Sequence, residues 1–575
     1  MVRELQRDLD RAEGPIYAER HVRIICVGAG ASGLCLAYKL QRSFQNFSLV
    51  IYEKNKEISG TWYENRYPGC ACDVPSHNYT WSFEPKHNWS AVYAQSSEIY
   101  QYFNDFADKY SLRKYVHCNQ AVIGARWDES NGGYHVQVKN GNTGELEEAF
   151  CDILINAGGI LNAWRWPDIP GLKEFKGPLL HSADWDDTVD LKGKHVGLIG
   201  NGSSGIQILP AILPSVSHIT TFVRSPAWIS PVRGLDQHVF SAEEVASFAN
   251  EPEKLLEYRK ANEDGINSLW PLYVRGTDMQ KAARKAMLKQ MQLKLQGSGL
   301  EDKLIPSWSV GCRRLTPGIN YLESLSHEKV TVVNGDITCI TDKGPRDSDG
   351  NDHTIDVLVC ATGFDTSFRP RFPIIGSSGT NLQDEWAQEA KGYMGIAAPN
   401  FPNYFLFLGP NCPIGNGPVL AAIEFQADYM LQFINRWQTE NIHSFVPKVD
   451  ATEDFIKYTD SVMQKTVWSE ECRSWYKSNS STGRVSALWP GSSLHYMEAI
   501  REARFDDYEI KYSGNRFAWM GNGSSQTELD ATCDWSYYIR LKDDSPYASR
   551  RMQRQVLTKS GSTDGRSKTS FWKFE

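Results

Sequence analysis

Residues 21–33 read HVRIICVGAGASG, an apolar run rich in β-branched residues that leads into a glycine turn, and the helical pattern LCLAYKLQRS follows. Gly28, Gly30 and Gly33 form the pattern G-x-G-x-x-G, which indicates a dinucleotide site when a strand precedes it and a helix follows. The first two glycines allow a tight turn and close backbone approach to a pyrophosphate, and the third lets helix and strand pack closely. This segment predicts a Rossmann-like unit and an α/β fold.

A second apolar run, FSLVIYE at 47–53, ends in a carboxylate at Glu53, twenty residues after Gly33. A carboxylate in this position accepts hydrogen bonds from the hydroxyls of an unphosphorylated ribose, as in FAD or NAD. The alternative is a glycine-rich turn with an unrelated surface glutamate. The order of the elements favours the nucleotide site.

The same pattern recurs at KHVGLI (194–199), which leads into Gly200-Asn201-Gly202-Ser203-Ser204-Gly205. The next apolar run, HITTFV, ends at Arg224 and Ser225, where the first unit had Glu53. A guanidinium beside a hydroxyl suits a ribose 2′-phosphate, so this unit is predicted to select NADP(H). A structural arginine at a strand end is the alternative. Two sites of opposite ribose chemistry predict a bound FAD that an exchangeable NADPH reduces.

Two further apolar runs indicate how the units are connected. CDILI precedes Asn156–Gly159, and TIDVLVC precedes Ala361–Asp365; both are typical of strands that return to a sheet before a glycine turn. We therefore predict two Rossmann-like domains, one inserted in the other. The predicted segments are FAD-binding at 20–165 and 390–535, NADP-binding at 180–235 and 311–370, a helical insertion at 236–310 and a loosely attached tail at 541–575.

The composition is that of an ordinary globular protein, with 41% hydrophobic and 23% charged residues among 575. The net charge of −8 disfavours a nucleic-acid partner. No apolar run is long enough to predict a membrane span. The twelve cysteines show no repeated spacing, and only Cys70 and Cys72 are close together, so neither a disulfide framework nor a metal site is predicted. A cytoplasmic location, which is a reducing compartment, is the expectation.

Two longer patterns show a family resemblance. Residues 175–186, FKGPLLHSADWD, match F-x-G-x-x-x-H-x-x-x-W-[P/D], and residues 60–73, GTWYENRYPGCACD, match G-x-W-x-x-x-x-[YF]-P-G-x-x-x-D. The chain thus resembles the type I, flavin-containing Baeyer–Villiger monooxygenases over about residues 20 to 535. The segment GCRRLTPG at 311–318 is most similar to members from fungal secondary metabolism. One departure is Ala157-Gly158-Gly159, where relatives often carry Ala-Thr-Gly.

The resemblance implies FAD and NADPH as cofactors, and a small-molecule ketone and O₂ as substrates. Carried over by position, the FAD site would include Glu53, Trp62, Asp73, Tyr79 and Val122 beside the first glycine turn. The NADP site would include Asn201, Gly202, Ser203, Ser204, Gly205, Ile206 and Gln207, together with Arg224, Ser225, Arg313 and, near the nicotinamide ribose, Trp475.

The resemblance also implies the catalytic pair. Arg314 would stabilise negative charge on oxygen, both on the oxygenating species and on the ketone adduct, and Asp73 would orient Arg314. His181 could serve as a base, but its motif is expected in a linker between the domains, so a domain-coupling or structural role is predicted. Two alternatives stay open: a related flavin monooxygenase that oxygenates an amine or thioether, and a non-catalytic flavoprotein that senses NADPH.

Overall fold

The first sheet is built around the strand that leads into the glycine turn Gly28–Gly33. In the computed structural model, which describes residues 13–230, 236–413, 415, 417 and 419–542, Val22–Val27 is the central strand of five. All neighbouring pairs are parallel, and the strands are apolar because helices cover both faces of such a sheet. The strand order is Tyr404–Leu406, Ile153–Asn156, Val22–Val27, Phe47–Tyr52 and Val116–His117.

The second sheet repeats this design with its own five parallel strands. His195–Ile199 is central and leads into the second glycine turn. The order is Val330–Asn334, His218–Val223, His195–Ile199, Val357–Cys360 and Leu179–His181.

The chain leaves the first sheet after Ile153–Asn156 and returns to it only at Tyr404–Leu406. Every strand of the second sheet lies between these two points in the sequence. One Rossmann-like domain is therefore inserted in the other, as the sequence predicts. The returning strands Ile153–Asn156 and Val357–Cys360 lie where the apolar runs placed them.

The remaining elements cover the two sheets. A four-stranded sheet consists of Gln120–Asp128, Gly133–Asn140, Leu146–Cys151 and Ile374–Ile375. Further strands form short pairs: Ile229–Ser230 with Thr316–Pro317, Ile337–Thr341 with Gly344–Asp347, and Ile442–Pro447 with Tyr508–Tyr512. The α-helices are Ala31–Ser43, Thr61–Glu64, Ser96–Lys109, Ser203–Ile212, Ala242–Asn250, Pro252–Asn267, Asp278–Leu295, Glu301–Leu304, Tyr321–Leu325, Leu382–Glu385, Val419–Thr439, Val449–Met463 and Ser493–Ile500.

The predicted helical insertion is observed as helices between Ala242 and Leu304. Ser241 caps the first of them in a complete capping box with Glu244. Thr277 caps the helix Asp278–Leu295, and its hydroxyl accepts from the Gln280 amide at 3.2 Å. The Gln280 side chain instead donates to the carbonyls of Leu272 and Val310 at 2.6 and 2.8 Å. It therefore holds the helix against the loop that leads to Arg313.

Within the described residues, no helix is long and apolar enough to cross a membrane. In the same part of the chain, no three His, Cys, Asp or Glu side chains are grouped as metal ligands. Apart from Leu541 and Lys542, the predicted tail at 541–575 lies outside the described residues.

Candidate active site

The first glycine turn has the shape of a pyrophosphate cradle. Gly28 lies at φ +101°, a conformation that favours glycine, and a Cβ at Gly33 would lie 2.1 Å from the Gly28 carbonyl oxygen. The helix Ala31–Ser43 begins at Gly30 without a side-chain cap. Its first amides therefore face the turn, where they suit an anionic group.

Glu53 ends the neighbouring strand and is held in place by backbone amides. Its side chain accepts from the amides of Ala29 at 2.8 Å and Asn55 at 2.9 Å. Glu53 is only 3% exposed, and burial raises the pKa of its carboxyl. The carboxyl is thus fixed beside the glycine turn.

The second glycine turn, Gly200–Gly205, repeats this geometry and forms a second cradle. Gly200 lies at φ +107°, and a Cβ at Gly205 would lie 2.1 Å from the Gly200 carbonyl oxygen. The helix Ser203–Ile212 begins at Gly202, again without a side-chain cap. The Ser203 and Thr316 hydroxyl oxygens are 2.7 Å apart, so the turn contacts the segment that follows Arg313 and Arg314.

Arg224, Ser225 and Arg313 lie together beside this second turn. Arg313 donates to the Ser225 hydroxyl at 3.2 Å and to the Pro226 carbonyl at 2.9 Å, while Asn201 donates to the Ser225 carbonyl at 2.9 Å. Burial, followed by the charge of Arg224, lowers the pKa of Arg313. Neither arginine makes an ion pair within the residues that the structure describes. Two such guanidiniums with a hydroxyl suit a phosphate dianion.

The turn Tyr67–Asp73, part of the 60–73 signature, joins the two cradles. The Tyr67 hydroxyl donates to the Gln207 side chain at 2.8 Å, and Gln207 donates to the Ala71 carbonyl at 3.0 Å. A Cβ at Gly69 would lie 2.6 Å from the Gln207 carbonyl oxygen. The turn therefore packs directly on the helix of the second cradle, and the side chain of Gln207 serves this contact.

Arg314 and Asp73 form a planar, two-point ion pair across 241 residues of sequence. Nε donates to Oδ2 at 2.6 Å and Nη2 donates to Oδ1 at 2.7 Å. Burial lowers the pKa of Arg314, but attraction and hydrogen bonds from Asp73 outweigh it and raise that pKa. The Arg314 side chain is 27% exposed. Arg314 is therefore a fixed cation that still faces solvent.

Aromatic side chains surround this pair. The Trp62 indole donates to the Tyr79 hydroxyl at 3.2 Å, and the charges of Asp73 and Arg314 act on Tyr79. Two phenols that the sequence did not indicate, Tyr273 and Tyr476, are buried. Burial raises the pKa of both, and the charge of Arg314 opposes that rise.

The remaining predicted site residues differ in how far their side chains are buried. Val122 and Ile206 are core side chains, at 9% and 3% exposure, so only their backbone is available to a ligand. Trp475 is half-buried, and its ring lies 4.8 Å from that of Tyr476. Ser204 lies in the first turn of the helix Ser203–Ile212.

His181 is buried at the end of the strand Leu179–His181 of the second sheet, so the expected linker position was wrong. Its ring stacks on Trp164 at 4.6 Å, its Nδ1 accepts from the Ala183 amide at 3.1 Å, and its Nε2 faces the Thr362 hydroxyl at 3.2 Å. Burial lowers the pKa of His181 to about 4. Trp164 follows the first sheet and Thr362 the second, so these contacts are those of a structural residue.

We expect His181 to make the protein less stable as the pH falls. Its pKa is about 4 in the native state and about 6.5 when unfolded, so between these values the unfolded state binds the extra proton. Stability therefore declines from about pH 6.5 to about pH 4, by up to about 1.4 kcal/mol per pH unit. Unfolding by urea at several pH values would measure the slope. His181→Asn keeps an acceptor for Ala183 and should make the slope smaller, while His77, whose pKa burial also lowers to about 4, keeps its own contribution. An unchanged slope would contradict a contribution from His181.

A disulfide that the sequence did not indicate lies next to the site. Cys312 and Cys472 are bonded across 160 residues, with their Cα atoms 6.4 Å apart. The expectation that no disulfide is present was therefore wrong. Cys70 and Cys72, the pair that the spacing singled out, are buried free cysteines.

Two dinucleotide cradles, one suited to an unphosphorylated ribose and one to a phosphorylated ribose, define a two-nucleotide oxidoreductase. A family model described as an NAD(P)-binding Rossmann-like domain matches residues 26–96. The FAD-binding monooxygenase stcW of Emericella nidulans is 38% identical over 515 residues, 88% of this chain and 86% of the relative.

A Baeyer–Villiger monooxygenase of Pseudomonas aeruginosa is 30% identical over 86% of this chain and 92% of its own length. The crystal structure of cyclohexanone monooxygenase from Rhodococcus sp. Phi1 bound to NADP⁺ has a TM-score of 0.74 and 26% identity, covering 86% of this chain and 100% of that chain. The chain belongs to the FAD-binding, Baeyer–Villiger-type monooxygenases. It is an NADPH-dependent flavin monooxygenase.

Proposed function

We propose that this enzyme inserts one oxygen atom from O₂ next to a ketone carbonyl and releases an ester or lactone. The observation that supports the proposal is the two-point pair of Arg314 and Asp73, at 2.6 and 2.7 Å. Oxygenation of an amine or thioether creates no oxyanion on the substrate. A fixed cation beside the reacting centre is most useful when a carbonyl oxygen becomes negative.

In this proposal each cradle has a separate task. The turn Gly28–Gly33 and Glu53 hold FAD, while Arg224, Ser225 and Arg313 hold NADPH by its 2′-phosphate. Bound FAD, reduced by NADPH, supplies the reducing equivalents that activate O₂. The uncapped helix N-termini and the deep glycine turns fit both pyrophosphates.

The reacting centre lies beside Arg314. As the substrate carbonyl is attacked, its oxygen gains negative charge, and the Arg314 guanidinium donates hydrogen bonds to that oxygen. Asp73 keeps the planar guanidinium in one orientation, so little reorganisation is needed during the reaction. Similarity of the segment 311–318 to fungal members further leads us to propose a role in secondary-metabolite biosynthesis.

A substrate panel tests the proposal. The purified holoenzyme is supplied with NADPH, ¹⁸O₂ and a series of linear and cyclic ketones, and mass spectrometry detects products that gain one labelled oxygen. Esters or lactones are expected. Labelled N-oxides or S-oxides from a parallel amine and thioether panel, without any ester, would favour the second monooxygenase class. NADPH binding without turnover on any panel would favour a sensor.

Arg224→Ala should change the choice of coenzyme. Each charge-assisted hydrogen bond to the 2′-phosphate contributes about 1.5–3 kcal/mol, so the KM for NADPH should rise about tenfold or more. The KM for NADH should change little, because NADH carries no 2′-phosphate. Steady-state kinetics with both coenzymes measures the effect. Arg501, an exposed arginine beyond the helix Ser493–Ile500, provides the control Arg501→Ala. Equal use of both coenzymes by the unaltered enzyme would contradict the assignment.

A further inference from the structure

Two Cys-Arg dipeptides meet beside the second cradle. Cys312 and Cys472 are joined by the disulfide, and each is followed directly by an arginine, Arg313 and Arg473. The Cα atoms of the cysteines are 6.4 Å apart although 160 residues separate them in the sequence. The bond therefore brings Arg473, from a distant part of the chain, close to Arg313 at the second cradle.

The two segments are also held together by hydrogen bonds. The amide and hydroxyl of Ser309 donate to the two carboxylate oxygens of Glu470 at 2.9 and 2.8 Å. Lys477, only 2% exposed, donates to the carbonyls of Glu470 and Ser481. This second connection fixes the backbone on either side of Cys472.

Arg224, Arg313 and Arg473 carry like charges, and no carboxylate among the described residues forms an ion pair with them. Arg473 is exposed, and within the described residues it makes no ion pair. After burial, its charge is the main reason that the pKa of Arg224 is lowered, and it also lowers the pKa of Arg313. Asp336 attracts Arg224 without forming an ion pair. Cations that repel one another in this way create a strong site for a multivalent anion.

We propose that Arg473 is the third guanidinium that binds the 2′-phosphate of NADPH, and that the Cys312–Cys472 disulfide holds it in that place. The inference rests on the proposed function, because it takes NADPH as the ligand of the second cradle. A ribose 2′-phosphate carries close to two negative charges at neutral pH. Arg313 donates from Nη1 to Ser225 and Pro226, so Arg473 adds donors for the phosphate to those that Arg313 keeps on its other nitrogens.

The two parts of the site should contribute unequally. Removing Arg473 removes a charge and its donors outright. Removing the disulfide leaves the Ser309–Glu470 bonds, so Arg473 should remain close to its place for part of the time. We therefore expect the loss of the arginine to weaken phosphate binding more than the loss of the disulfide does.

Reduction should have the same effect as removing the disulfide. A dithiol transfers two electrons and two protons to the Cys312–Cys472 bond, which becomes two thiols, and the dithiol becomes a cyclic disulfide. Both cysteines are buried, at 0% and 1% exposure, so reduction should be slow. The Lys477 ammonium lies 3.9 Å from the Cys472 sulfur and would stabilise the thiolate formed during exchange.

Calorimetric titration of the FAD-loaded enzyme tests the role of Arg473 without turnover. The probes are 2′,5′-ADP, which carries the 2′-phosphate, and 5′-AMP, which does not. Arg473→Ala should weaken binding of 2′,5′-ADP about tenfold or more and leave binding of 5′-AMP unchanged. Arg501→Ala should alter neither. Unchanged binding of 2′,5′-ADP by Arg473→Ala would overturn the assignment.

The disulfide is tested on the same probe. Peptide mapping after alkylation should recover a linked Cys312–Cys472 peptide, and excess dithiothreitol should add two alkylated thiols. Binding of 2′,5′-ADP should then weaken two- to fivefold, as in Cys472→Ser, and Cys472→Ser should show no further response to dithiothreitol. Two new thiols with unchanged binding would overturn the role of the disulfide, as would the absence of the linked peptide.

The controls separate this inference from the proposed function. If the unaltered enzyme binds 2′,5′-ADP no better than 5′-AMP, the proposed coenzyme choice fails, and the inference with it. A different outcome is that the unaltered enzyme prefers 2′,5′-ADP, that Arg224→Ala abolishes this preference, and that Arg473→Ala keeps it. In that case the proposed function stands, and only the role of Arg473 is wrong.

Discussion

Arg314→Ala should lower the rate of ester or lactone formation by roughly 10²–10³-fold, the usual cost of removing one donor to an oxyanion. FAD content and the rate of flavin bleaching by NADPH should stay near those of the unaltered enzyme, because neither depends on charge at the carbonyl oxygen. NADPH consumption should continue and yield hydrogen peroxide instead of product. Stopped-flow absorbance, a peroxide assay and product analysis together measure the three rates.

The design of the pair suggests a stringent control. Arg314→Lys should restore little activity, because a flexible ammonium does not reproduce two parallel bonds to Asp73. Arg436 and Glu440 form a similar two-point pair, at 2.6 and 2.7 Å, with side chains 24% and 16% exposed. Arg436→Ala should therefore lose comparable contacts and keep product formation. Near-normal ester formation by Arg314→Ala would remove Arg314 from the mechanism.

Gly205→Ala should abolish reduction of the flavin by NADPH while FAD stays bound. A Cβ at this position would lie 2.1 Å from the Gly200 carbonyl oxygen, a distance that forces the turn away from the helix. The second cradle would then lose the shape that its pyrophosphate needs. Anaerobic mixing with NADPH should show flavin absorbance that no longer bleaches, whereas dithionite still reduces it.

The equivalent change in the first cradle should have the opposite result. Gly33→Ala meets the Gly28 carbonyl oxygen at the same 2.1 Å, so the purified protein should lack FAD. A Cβ at Gly202 would meet no protein atom within 4 Å, and Gly202→Ala should therefore fold with its FAD. Loss of FAD from Gly205→Ala, with Gly33→Ala retaining it, would mean that the two cradles have been assigned in reverse.

The fold could be predicted because its signals are local. Each strand, glycine turn and helix of the two cradles is contiguous in the sequence, and Gly28 and Gly200 both adopt the positive φ that the turn requires. Apolar runs before Asn156 and Ala361 were enough to predict that one domain interrupts the other. The roles of Arg314 and Asp73 came from similarity alone, and the structure brings the two side chains together.

What the sequence did not reveal depends on contacts between distant segments. Gln280 has the spacing of a capping box with Thr277, but its side-chain amide donates to the carbonyls of Leu272 and Val310. The bond between Cys312 and Cys472 follows from packing, and nothing in their spacing indicates it. Tyr476 reaches Arg314 for the same reason. Propensity and periodicity describe neighbours in the chain, and these contacts are not between neighbours.

The turn Tyr67–Asp73 bears on how this enzyme could be recombined with others. It belongs to the first domain by sequence, yet it packs on the helix Ser203–Ile212 of the second. A chimera that exchanged only the coenzyme domain would pair a foreign helix with a resident turn. A Cβ at Gly69 would lie 2.6 Å from the Gln207 carbonyl oxygen and 2.9 Å from the Ala211 Cβ, so the turn fits this helix only with glycine at that position. A successful crossover would therefore transfer this turn and the coenzyme domain as one inherited block.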